Sequence, residues 1–244
     1  MKKIGLFLLI AMGSLMAGEA DLIIQKVEEN ARGKDAYMKM RMEITSRRHE
    51  RSITMESWAV GKKKSFTKIL EPSRDRGITF LNLDKQMWQY VPKVERIIKI
   101  PPSMMLQSWM GSDFTNDDLV KQSSIVDDYS AEVIAKEGAT VTLQLTPRED
   151  AAVVWGKIVS RIDTRTYTQV EETFYDDMGE KVRLMRYYDI KKFGSHYLPT
   201  VMEVLPLDPA KQGNKTVITM LEVRFDEGVS ETYFTTKALK RYSR

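Results

Sequence analysis

The chain has 244 residues, 30% of them charged, and 38 Lys and Arg nearly balance 34 Asp and Glu. It contains no Cys, which excludes disulfide frameworks, thiol nucleophiles, cysteine-based metal sites and an N-terminal lipid-modified Cys. A net charge of only +4 does not favour nucleic-acid binding, and the presence of just two His argues against a histidine-based metal site.

The first 20 residues have the pattern of a secretory signal peptide. An apolar run from Ile4 to about Ala17 follows two lysines, and cleavage can follow either Ala17 or Ala20. The run is too short and too interrupted by glycine for a spanning helix, so an uncleaved anchor is the weaker alternative. We expect residues 1–20 to be removed, which leaves residues 21–244 as one periplasmic domain.

Strand patterns dominate the chain after a short predicted helix at residues 21–31. In residues 37–45 methionines alternate with charged residues, which is the period of a sheet with one apolar face. Similar segments follow at residues 53–60, 65–70, 77–83, 87–91, 95–100, 131–136, 139–146, 157–164, 167–175, 181–190, 197–205 and 216–226. Short strands in meander order predict a mainly β (α+β) fold, with an antiparallel sheet that curls into a barrel or half-barrel.

Residues 101–121 interrupt the strand pattern and predict two short helices. Ser103 can cap the first helix, which Gly111 ends. Thr115 can cap the second, with Asp118 as its capping-box partner. One face of the first helix is apolar and consists of Met105, Leu106, Trp109 and Met110. Two helices inserted in a sheet, one of them rich in Met and Trp, suggest a lid.

The sequence contains none of the common catalytic motifs. There is no G-x-S-x-G nucleophile elbow, no H-E-x-x-H, no phosphate-binding glycine loop and no dinucleotide fingerprint. His49 and His196 are interpreted as surface or strand-end residues rather than general bases. We therefore expect a protein that is not an enzyme and has no metal or cofactor; a lipid hydrolase using Ser112 is the alternative.

Fifteen Met and four Trp form an apolar surplus. Such residues are commonly core, but Met also suits surfaces that repack around variable apolar ligands, and a half-barrel of this size can enclose a cavity. The candidate lining residues are Trp58, Phe66, Trp88 and Tyr90 on strands, and Met104, Met105, Leu106, Trp109 and Met110 in the lid. Asp113 is expected to be structural and to hold the loop on which the lid hinges.

Several motifs occur together in a fixed order. Gly77-x-x-x-Leu81 is followed by MWQYVP at residues 87–92, by Arg96 and Ile97, and by WMGSDFTNDDL at residues 109–119. In this order they resemble the outer-membrane lipoprotein-sorting protein family, a branch of the LolA-like superfamily. The resemblance implies a strongly curved, unclosed antiparallel β-barrel with short lid helices over an apolar cavity that binds lipid or lipoprotein acyl chains.

The resemblance also implies a role and partners. A periplasmic carrier would move lipid between membranes as a monomer with transient membrane contact, beside an inner-membrane exporter of the resistance-nodulation-division type. The alternative is a periplasmic sensor that uses the same fold to detect a lipid or lipoprotein.

Overall fold

A computed structural model describes residues 5–47, 49–121 and 125–244, and its main feature is one sheet of 13 antiparallel strands. The strands are β1 (Asp35–Thr45), β2 (Glu50–Val60), β3 (Lys64–Glu71), β4 (Thr79–Leu83), β5 (Gln86–Val91), β6 (Arg96–Lys99), β7 (Tyr129–Glu137), β8 (Thr140–Pro147), β9 (Lys157–Asp163), β10 (Thr168–Tyr175), β11 (Lys181–Phe193), β12 (His196–Pro206) and β13 (Lys215–Phe225). Each of them coincides, within three residues at either end, with a segment expected from the alternating pattern.

The order of the strands explains why the sheet stays open. It runs β6-β5-β4-β3-β2-β1-β13-β12-β11-β10-β9-β8-β7, so two meanders are joined by the pairing of β1 with β13. Strands β6 and β7 are left as the two edges, and the chain from Ile100 to Asp128 connects one edge to the other. The expected fold, a mainly β, curved and unclosed antiparallel barrel, is confirmed.

The strand register separates two faces of the sheet. On one face, which we call the inner face, Met40 lies opposite Met55 and side chains from both meanders form a single apolar cluster. On the other, the outer face, Trp58 lies opposite Phe66 and the apolar cluster involves strands β2 to β5 and the C-terminal segment. Alternation along each strand sends neighbouring residues to opposite faces.

An N-terminal helix, α1 (Gly5–Arg32), covers part of the inner face. Its buried residues pack into the inner cluster and are Ala20, Ile23, Ile24 and Val27. The helix was expected to begin at Asp21 as its cap, but Asp21 lies within the helix, which runs unbroken through both expected cleavage positions because no proline interrupts this stretch. Residues 1–4 of the expected signal peptide lie outside the described residues, and its cleavage stays a prediction. Among the described helices, none is both long and apolar enough to cross a membrane.

The chain between the two edges, which we call the lid (residues 101–121), differs in one respect from expectation. The second expected helix is present as α2 (Asn116–Lys121), after Thr115. The first is not: a single 3-10 turn, Pro102–Met104, is followed by a tight loop. The backbone there pairs across the lid, with the amide of Trp109 donating to the carbonyl of Phe114 (2.7 Å), so a continuous helix cannot form.

Two further helices complete the fold. α3 (Ile125–Asp128) precedes β7, and α4 (Thr236–Arg241), which the sequence reading missed, packs on the outer face. The hydroxyl of Thr235 caps α4 by accepting a hydrogen bond from the amide of Ala238 (3.2 Å). Leu239 is fully buried, and its carbonyl accepts a hydrogen bond from the hydroxyl of Thr79 on β4 (2.8 Å).

Candidate functional site

The inner face is apolar and unusually rich in methionine. Four Met are buried in its cluster, and they are Met42, Met55, Met87 and Met185. Five more pack against it partly exposed, and they are Met40, Met104, Met105, Met110 and Met202. Because Met has three rotatable bonds and a polarisable sulfur, a wall of this composition can change shape at low energetic cost. The inner face therefore has the side chains that a site for a flexible apolar ligand requires.

The lid closes over this face with its own apolar side chains. Met104, Met105 and Met110 contact the inner cluster, and Trp109 is buried there with its ring 5.3 Å from the ring of Phe80 on β4. Leu106 differs from the other lid candidates because 61% of its surface is exposed. Four of the five expected lid residues thus face the interior, and the fifth faces solvent.

Two polar contacts join the lid to the middle of the sheet. Arg51 on β2 donates to the carbonyl of Met110 (2.7 Å) and forms an ion pair with Asp75 (2.6 Å). Asp113 accepts a hydrogen bond from the hydroxyl of Thr216 on β13 (2.7 Å), and the same hydroxyl accepts one from the amide of Asp113 (3.0 Å). Asp113 therefore holds the lid loop to the sheet, and its expected role as a hinge stays a prediction.

A third contact joins the lid to the other meander. Asp118 in α2 forms a bidentate ion pair with Arg183 on β11, with N–O distances of 2.8 and 3.0 Å. The Asp118 carboxylate also accepts hydrogen bonds from the amide and hydroxyl of Thr115 (2.8 and 2.9 Å). These are the capping contacts expected from the sequence. The partner across the sheet was not expected, because nothing in the sequence of β11 marks Arg183 as inward-facing.

A buried carboxyl also lies on the inner face. Glu172 on β10 accepts hydrogen bonds from the hydroxyl of Ser160 (3.0 Å) and from the hydroxyl of Tyr187. Burial raises the pKa of the Glu172 carboxyl and raises that of Tyr187 well above its usual value. This buried carboxyl was not predicted either, since an isolated Glu in an alternating strand usually faces solvent.

The four expected lining residues on strands lie elsewhere. Trp58, Phe66, Trp88 and Tyr90 belong to the outer-face cluster, beneath α4 and the segment before it. The ring of Trp58 stacks on that of Tyr233 with centroids 4.6 Å apart. The structure therefore does not bring these four residues into one cavity with the lid residues, because the strand register puts them on the opposite face.

Two cavities of the described residues lie outside the apolar interior. One, of about 700 Å³, lies beside the C-terminus and is lined largely by charged residues such as Lys68, Arg76 and Glu95. The other, of about 260 Å³, lies between α1 and the β2–β3 turn, near Glu28 and Lys62. Because Trp109 and the lid methionines pack against the inner face, a ligand that binds there must displace them.

Comparison with known families gives one match to most of the chain. A family model with the description "Uncharacterized protein" matches residues 61–241. No curated protein sequence matches the chain.

Three solved structures share the fold over nearly their whole length. A DUF1329 family protein from Desulfovibrio piger is 21% identical, with a TM-score of 0.83 over 92% of this chain and 99% of that one. An outer membrane lipoprotein-sorting protein domain from Vibrio parahaemolyticus is 21% identical, with a TM-score of 0.79 over 92% and 100%. A LolA superfamily protein from Nitrosomonas europaea is 18% identical, with a TM-score of 0.74 over 89% and 98%.

Proposed function

The chain belongs to the family whose model matches residues 61–241 and has the fold of the outer-membrane lipoprotein-sorting and LolA superfamily proteins, and from this premise we propose that it is a lipid carrier. Its cargo is lipid or lipoprotein acyl chains, bound between the inner face and the lid and carried through the periplasm from one membrane to the other. Residues 21–244 form the carrier, and residues 1–20 direct its export.

The observation that carries this proposal is the methionine-rich inner face, which is covered by a lid with apolar side chains of its own. Each CH₂ group of an acyl chain gains about 0.8 kcal/mol by leaving water, so a displaced lid is readily replaced by cargo. The apolar lid residues cover the inner face when cargo is absent, which keeps that face from water. An inner-membrane exporter of the resistance-nodulation-division type is the proposed donor or acceptor, as the family resemblance implies.

A disulfide that locks the lid tests the proposal directly. The chain has no Cys, so a pair introduced by Asp113→Cys and Thr216→Cys forms without competing thiols. The two native side chains are in hydrogen-bond contact, which brings the positions close together. We expect the oxidised variant to take up no fluorescent fatty acid and the reduced variant to bind it like the wild type.

A matched pair on the sheet provides the control. Ser57→Cys with Thr67→Cys links β2 to β3, where the native hydroxyls are 3.1 Å apart, and leaves the lid free. Its oxidation should not change uptake. Unchanged uptake by the oxidised lid variant, or native mass spectra of purified protein with no bound amphiphile under any loading condition, would refute the carrier role.

A further inference from the structure

The inner face contains a buried cation among apolar side chains. Arg183 is the only cationic side chain among the described residues that are buried, and its side chain is 7% exposed. Its guanidinium lies over the rings of Phe174 and Trp155, with its central carbon 4.3 and 4.5 Å from their centroids. A charge in such a place is costly unless an anion accompanies it.

The accompanying anion comes from the lid. Asp118 binds both terminal nitrogens of Arg183, while the Nε atom is buried with no hydrogen-bond partner among the described residues. When the lid moves to admit cargo, Asp118 moves with it. Arg183 then remains on the inner face, and neither its two terminal nitrogens nor its Nε atom has a hydrogen-bond partner.

Glu172, a carboxyl on the inner face that interacts electrostatically with Arg183, does not replace Asp118. Both oxygens of Glu172 already accept hydrogen bonds, one from Ser160 and one from Tyr187. Burial also raises the pKa of Glu172, which favours its neutral form. When the lid is open, an oxyanion from outside the protein is therefore needed to pair with Arg183.

We propose that Arg183 binds the anionic group of the cargo, a carboxylate or phosphate attached to acyl chains, and that Asp118 occupies this position while the lid is closed. The inference rests on the carrier function proposed above and narrows its cargo to anionic amphiphiles. A planar guanidinium binds carboxylate and phosphate oxygens in the same bidentate way. Release then follows when Asp118 returns and displaces the anionic group.

Affinity measured against matched amphiphiles tests the site. Delipidated wild-type protein is titrated with oleate, with phosphatidylglycerol, and with oleyl alcohol and diacylglycerol as their uncharged counterparts. Because a hydrogen bond between charged groups is stronger than one between neutral groups, we expect at least one anionic amphiphile to bind at least about tenfold more tightly than its uncharged counterpart. Preference for oleate alone identifies a carboxylate, and preference for phosphatidylglycerol alone identifies a phosphate.

Two substitutions separate this site from a simple latch. If the ion pair of Arg183 with Asp118 only held the lid shut, loss of either partner would have the same effect on amphiphile affinity. The proposed site predicts opposite effects: Arg183→Gln loses the anionic preference, while Asp118→Asn raises the affinity for the anionic amphiphile because its internal competitor has lost its charge. Arg186, like Arg183, lies on β11, and its half-exposed side chain pairs with Glu171 on β10. Arg186→Gln is therefore the matched control and should change neither the anionic preference nor the affinity.

The outcomes distinguish this inference from the carrier function. Wild-type protein that binds charged and uncharged amphiphiles equally refutes the anion site and leaves the carrier role intact. Protein that binds none of the four refutes the carrier role itself. If Arg183→Gln does not fold, Arg183→Lys keeps the charge without the planar fork and should retain part of the preference. An equal fall in affinity in Arg183→Lys and Asp118→Asn would overturn the site.

Discussion

Single buried polar residues on the inner face affect the stability of the folded protein. Glu172 is the clearest case, because it is 4% exposed and still carries an ionisable group. Desolvation raises its pKa, and the hydrogen bonds from Tyr187 and Ser160 act in the opposite direction without cancelling it. The folded protein therefore holds this proton more tightly than the unfolded chain does.

That difference predicts a pH dependence of stability. Above the usual Glu pKa of 4.5, the unfolded chain releases the proton first, so the Glu172 contribution to stability falls as pH rises. We expect Glu172→Gln to gain stability relative to the wild type as the pH is raised from 4 to 8, measured by urea unfolding. Tyr187→Phe removes a hydrogen bond that lowers the Glu172 pKa, so the loss of stability with rising pH should extend to higher pH. Parallel pH profiles for all three proteins would contradict the prediction.

At the scale of elements, the two apolar clusters on opposite faces have different expected roles. Leu239 in α4 is fully buried in the outer cluster, and Met55 on β2 is 2% exposed in the inner one. Truncation of either residue to Ala creates a cavity and should lower the free energy of unfolding by about 2–5 kcal/mol. The two variants are thus matched in stability loss but differ in the face they alter.

Amphiphile binding should separate these two variants. We expect Met55→Ala to change the affinity for oleate and Leu239→Ala to leave it unchanged, in fluorescence titrations at a temperature where both are folded. The reverse pattern would mean that the outer cluster, with Trp58 and Trp88, is the binding site. That result would support the site expected from the sequence over the one that the strand register favours.

Elements differed in how far the sequence could predict them. The strands could be predicted because the period of a strand is local, and even β6, whose four residues are all exposed, falls within a predicted segment. The prediction of the first lid helix was wrong because Trp109 and Phe114 pair across a loop. That pairing depends on contacts rather than on helical periodicity. Helix α4 was missed since its six residues carry too few apolar positions to show a period, although Thr235 is a recognisable cap.

For the whole molecule, the missing information was which face of the sheet is concave. Strand parity places Trp58 and Met55 on opposite faces but cannot say which face is enclosed. That follows from the pairing of β1 with β13 and from the packing of the lid on one face of the sheet, both of which bring distant parts of the chain together. The contact of Asp118 with Arg183, 65 residues apart in sequence, escaped prediction for the same reason.

At the scale of the whole molecule, the proposed binding of cargo predicts a change in stability. A ligand that binds only the folded protein stabilises it by RT ln(1 + [L]/Kd), which is about 2.7 kcal/mol when the free ligand is at 100 times Kd. For a chain of this length we expect the melting temperature of delipidated protein to rise by about 5–10 °C on saturation with oleate, measured by calorimetry. Because this gain requires cargo under the lid, the oxidised lid-locked variant should melt at the same temperature with and without oleate. An equal rise in the locked and unlocked proteins would show that oleate binds outside the inner face.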